Sequence, residues 1–131
     1  MPIEVQIVDE IAPGSEESRS GLQVSSAQLT LRDLIRERVR QEVDDYNQNL
    51  PEVFHGLVQP EDSERILNGY RPRTRKPLDW QRQFETAVRI FEQNGIFVLL
   101  DGTAVGSLDE AVELQPGSEI RFLRLVPLMG G

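Results

Sequence analysis

The residues with the clearest chemical use are the last four, Leu128-Met129-Gly130-Gly131. A free glycine carboxylate on a slender apolar tail suits one kind of chemistry. The tail threads a narrow crevice of another protein and is activated there, because a backbone without Cβ passes where other residues clash. Small residues are also tolerated at ordinary chain ends. With Gly 10 in 131 residues, however, composition alone gives two terminal glycines in under about 1% of chains.

Other side chains offer less. There is no cysteine, which removes disulfides, thiol nucleophiles and thiolate metal sites together. His55 is the single histidine, and a metal site needs several ligands. The acidic pairs Asp44-Asp45 and Glu61-Asp62 read as solvated surface. The cluster Arg71-Pro-Arg-Thr-Arg-Lys76 reads first as a solvated loop and second as a site for an acidic partner or phosphate. No Gly-rich phosphate loop and no nucleophile–base pair occurs, which argues against an enzyme.

The composition sets bounds. One domain of 14.9 kDa with 38% hydrophobic residues and a mean hydropathy of −0.39 is expected to be soluble. No apolar run reaches the ~20 residues of a membrane span, and Met1-Pro-Ile-Glu-Val lacks the features of a signal peptide. Cytoplasmic residence is the default expectation. The net charge of −8 repels phosphate backbones and argues against nucleic-acid binding by the whole domain. Lys76 is the only lysine.

The elements that must carry the tail follow from periodicity. Ile3 to Val8 alternates as a strand with Ile3, Val5 and Ile7 inward, and Leu22 to Ala27 resumes the alternation after a polar loop over 9–21. The two are expected to pair as a hairpin. Thr30 is a good N-cap, and Asp33 favours the helix start. Leu31, Leu34, Ile35, Val39, Val43 and Tyr46 form one apolar stripe. Residues 51–79 are poorly legible, with a short helix over Glu61–Asn68 as one expectation. Asp79 caps a second helix with the stripe Trp80, Phe84, Ala87, Val88 and Phe91, which stops at Asn94-Gly95. Ile96–Leu100 reads as a buried strand and turns back at Asp101-Gly102 into Thr103–Val105. Ser107–Ala111 is expected as one helical turn, and Pro116-Gly117 leads into the last strand. In that strand Ile120 and Phe122 share one face and Leu123 and Leu125 the other. A β-bulge near Phe122-Leu123 would keep Arg124 from pointing inward.

Hairpin, helix, hairpin and final strand on one mixed sheet is the β-grasp arrangement. It is an α+β solution with the last strand central and parallel to the first. The segment Gly95–Gly131 resembles the C-terminal half of the ubiquitin-like β-grasp proteins. Two branches are close: sulfur carriers of molybdopterin and thiamin synthesis, and ubiquitin-like modifiers. Among the latter it looks most like bacterial proteins encoded beside their own activating and conjugating enzymes. The resemblance fails over about 51–93 and implies an otherwise single domain, 1–131, with a helical insertion there and a flexible tail, 127–131.

The resemblance implies that the Gly131 carboxylate attacks the α-phosphate of ATP held by a partner activating enzyme. The chain itself then needs no cofactor and no catalytic side chain. Gly130, Met129, Leu128 and Pro127 would be read by the crevice, and Leu123, Arg124, Leu125 and Val126 would dock the enzyme. The implied partners are activating and conjugating enzymes, a deconjugating metalloprotease and a target protein. Lys76 would be the one side-chain acceptor for self-linked chains, so little chain formation is expected. Transfer to a target is the leading expectation. A C-terminal thiocarboxylate that donates sulfur, and a non-covalent β-grasp binding module, are the alternatives.

Overall fold

The computed structural model describes residues 2–11, 17–66 and 69–125, with only the backbone of Ile11. Its elements are β1 (Ile3–Ile11), β2 (Glu17–Val24), β3 (Gln28–Thr30), α1 (Leu31–Asn49), β4 (Ser63–Ile66), β5 (Gly69–Pro72), α2 (Trp80–Glu92), β6 (Ile96–Leu100), β7 (Thr103–Val105), β8 (Ala111–Glu113) and β9 (Glu119–Arg124). Contacts divide the chain into two compact units, one of 1–34 with 90–131 and one of 35–89.

The first unit is built on a mixed five-stranded sheet of order β2-β1-β9-β6-β7. β1 pairs antiparallel with β2 from Ile3↔Val24 to Glu10↔Glu17. It pairs parallel with β9 from Gln6↔Glu119 to Ile11↔Arg124. The final strand is therefore internal, between the first strand and β6. The alternation of the sequence fixes its inner face: Val5, Ile7, Leu22, Val24, Ile96, Val98, Ile120 and Phe122 are all buried. Asp101 and Gly102 both have positive φ, 46° and 89°, which suits the tight turn joining β6 to β7. Asp101 also fastens that turn to β9, since its Oδ1 accepts from the Glu119 amide at 2.9 Å.

Helix α1 begins where the sequence places it. Thr30 Oγ1 accepts from the Asp33 amide at 3.1 Å, and the orphan amides of Leu31 and Arg32 donate to the carbonyls of Glu110 and Leu108. All six residues of its apolar stripe are buried.

The second unit is ordered by side-chain bonds. The Glu42 carboxylate, paired with buried Arg38, also accepts from the Leu57 amide at 2.9 Å. Gln83 donates to the Val58 carbonyl, and Ser63 Oγ donates to that of Pro60. Tyr46 meets Phe54 edge to face at 5.3 Å.

Four expectations are corrected. The helix expected over Glu61–Asn68 does not form among the described residues there: Ser63–Ile66 is β4, paired antiparallel with β5. The insertion is thus a hairpin plus α2 rather than purely helical. The polar loop shrinks because β1 runs to Ile11 and β2 starts at Glu17. Ser107–Ala111 is no helical turn, since Ala111 opens β8, which pairs with β3. β9 has no bulge, because it keeps continuous register with both neighbours and leaves Arg124 half-buried opposite Ile96. In α2 only Gln83 and Ala87 are buried. The apolar stripe of α2 takes the less exposed side: Ala87 is buried and Trp80, Phe84, Val88 and Phe91 are half-buried, with Arg40 and Arg36 stacked over the rings of Trp80 and Phe84 at 5.2 and 5.1 Å. A guanidinium face supplies the cover that an apolar partner would otherwise give.

Candidate docking face and tail attachment

β9 is the last strand before residues 126–131, and its two faces differ. Ile120 and Phe122 point inward and are fully buried, while Arg121 and Leu123 take the opposite face and are half-buried. Across the ladder Leu123 faces Phe97, and Arg121 faces Leu99. Phe97 is 45% exposed and Leu125, one step beyond the strand, is 42% exposed. The Leu125 amide still donates to the Gly95 carbonyl at 2.9 Å, so the chain is held in place up to that residue. An exposed aromatic beside two leucines departs from the scatter of single apolar residues usual on a surface.

The same face becomes charged toward β1 and β2. Arg121 Nη1 lies 2.8 Å from Glu10 and 2.7 Å from Glu17, and its Nη2 lies 3.7 Å from Glu119. Arg19 closes the ring, at 3.1 Å from both Glu17 and Glu119. Val8 lies in register between Arg19 and Arg121 and is 0% exposed. The hydrogen bond from Arg121 holds the Glu17 carboxyl below its ordinary value, against a smaller opposing effect of desolvation.

Of the residues singled out in the sequence, Leu123 and Arg124 end the central strand and Leu125 follows it directly. Leu123 and Leu125 belong to the apolar patch. Arg124, by register, belongs to the inner side with Ile120 and Phe122. Val126, Pro127, Leu128, Met129, Gly130 and Gly131 lie outside the described residues. Lys76 is exposed in the segment between β5 and α2, in the other unit. His55 is exposed, and among the described residues no group of three or more metal-ligating side chains comes together.

Sequence reasoning missed Phe97 and the five-charge ring. Ile96–Leu100 looks like an unbroken apolar run, yet β6 buries Ile96 and Val98 and turns Phe97 out. The signal was its pairing with a strand that alternates, which required the register. The ring joins residues about a hundred positions apart and has no local signature.

The described residues form an α+β fold with a mixed five-stranded sheet and two helices. Among the described residues no helix is long and apolar enough to cross a membrane. Comparison with known proteins gives no match to any family model, curated protein or solved structure.

Proposed function

We propose that the chain is a ubiquitin-like β-grasp modifier, whose Gly131 carboxylate is adenylated by a partner activating enzyme and transferred to a target protein. The observation that carries this reading is the position of β9. A last strand set between β1 and β6, parallel to the first and antiparallel to the second, is the strand order of that arrangement. It leads into a segment ending in Gly130-Gly131. The patch of Phe97, Leu123 and Leu125 supplies an apolar footing beside the point where the tail departs. The chain's role in the chemistry is to present an unhindered carboxylate. Attack on the α-phosphate of ATP converts it to an acyl adenylate with loss of pyrophosphate; an enzyme thiol then displaces AMP to give a thioester, and a target amine displaces that thiol to give an amide.

The test is made in the native host with an N-terminally tagged chain. Intact mass must first give Gly131 as the terminal residue of the mature protein. Covalent adducts to other proteins are then expected, and deletion of Gly130-Gly131 abolishes them. A free protein heavier by one oxygen-to-sulfur exchange, without adducts, would instead make the chain a sulfur carrier. Unchanged function after the deletion would make it a non-covalent binding module.

A further inference from the structure

The second unit carries a basic segment of which the tail chemistry invokes Lys76 alone. Residues 69–78 hold four cations, Arg71, Arg73, Arg75 and Lys76, and no carboxylate, in a chain of net charge −8. All four are exposed. Arg71 and Arg73 have acidic neighbours, Glu64 at 3.3 Å and Asp62 at 3.4 Å. Arg75 and Lys76 have no carboxylate partner among the described residues.

A solvated basic loop has no need of a fixed path, yet this one is fastened along its length. Tyr70 exchanges backbone hydrogen bonds with Phe54 at 2.8 and 2.9 Å, and the Arg73 amide donates to the Asp62 carbonyl at 2.9 Å. The Lys76 amide donates to the Thr74 carbonyl at 3.1 Å. At the far end Asn47 of α1 grips Leu78 twice: its Nδ2 donates to the Leu78 carbonyl at 3.0 Å, and its Oδ1 accepts from the Leu78 amide at 2.8 Å. Arg75 and Lys76 therefore sit on a strap held at both ends, with part of the ordering cost of binding already met.

We propose that the strap Arg73–Leu78 is a recognition surface for an acidic segment of a partner protein, with Arg75 and Lys76 as the primary contacts to its carboxylates. Arg71 and Arg73 support them by exchanging their intramolecular acids for the partner's. A protein segment fits better than a nucleic acid. A few carboxylates engage the local cations, whereas a long polyphosphate also meets the negative charge of the rest of the chain. The proposal does not depend on the diglycine chemistry.

The test uses the full chain and a fluorescein-labelled Glu-rich peptide, with its Gln-rich counterpart as control, followed by fluorescence anisotropy. Saturable binding of the Glu-rich peptide is expected, weakening as salt is raised. The double variant Arg75→Glu, Lys76→Glu should weaken it at least about tenfold. Arg32→Glu, which removes a cation paired with Asp109 in the other unit, should leave it within about twofold. Circular dichroism checks that the exposed substitutions leave the fold intact. The proposal is overturned if the Glu-rich peptide binds no better than the Gln-rich one, if the double reversal binds as well as the parent, or if a single-stranded oligonucleotide of equal charge binds more tightly than the peptide.

Discussion

Arg121 donates to Glu10 and Glu17 at once, and the hydrogen bond to Glu17 is the main reason that this carboxyl titrates below its ordinary 4.5. The consequence for stability has a definite sign. An unfolded glutamate takes up its proton near 4.5, the folded one only at lower pH. The contribution of Glu17 is therefore complete above about pH 4.5 and drains away as pH falls through the lowered value. Glu17→Gln should flatten the acid limb of the stability profile in that window and leave the profile above pH 6 nearly parallel to the parent's. Denaturant melts between pH 3 and 7 read this, and an unchanged acid limb would count against the pairing. Thr30 offers a second residue-level test, since its hydroxyl serves one orphan amide of α1. Thr30→Ala should cost about 1 kcal/mol in urea denaturation, and Thr30→Ser much less.

At the scale of elements, legibility followed locality. Thr30 and Asp79 were readable as caps because a cap is a contact within three residues, and both make it. The stripe of α1 was readable because each position repeats at helical spacing. The β4–β5 hairpin was not, because Glu64 and Arg65 are exposed and a four-residue strand buries too little to show an alternation. The path of 73–79 was equally hidden, since its anchor is Asn47, 31 positions before Leu78. That anchor gives the element-level expectation. Asn47→Ala removes both hydrogen bonds to Leu78 and should cost about 1–3 kcal/mol. It should also speed tryptic cleavage after Arg73 and Arg75 several-fold over cleavage elsewhere. If cleavage in the variant rises uniformly along the chain, Asn47 supports the whole unit rather than the strap.

For the molecule as a whole, the sheet separates two tasks that one sequence run cannot show. Ile96–Leu100 and Glu119–Arg124 each place alternate side chains in the core and on the opposite face. The strand order was legible from the sequence of elements. The exposed apolar patch was not, because it joins Phe97 to Leu123 across a register and then to Leu125 beyond it. The two tasks should come apart on substitution. Phe122 is fully buried, so Phe122→Ala should cost about 3–5 kcal/mol and lower the melting temperature sharply. Phe97 and Leu125 are more than 40% exposed. The pair Phe97→Thr, Leu125→Thr keeps strand-compatible side chains and should cost about 1 kcal/mol or less per site. Under the modifier reading the same pair should nevertheless reduce covalent adducts in the native host by at least about tenfold, with the tail sequence untouched. A double variant that melts near the parent and conjugates as well as the parent would remove this face from the docking surface. It would leave recognition to the residues from Val126 onward.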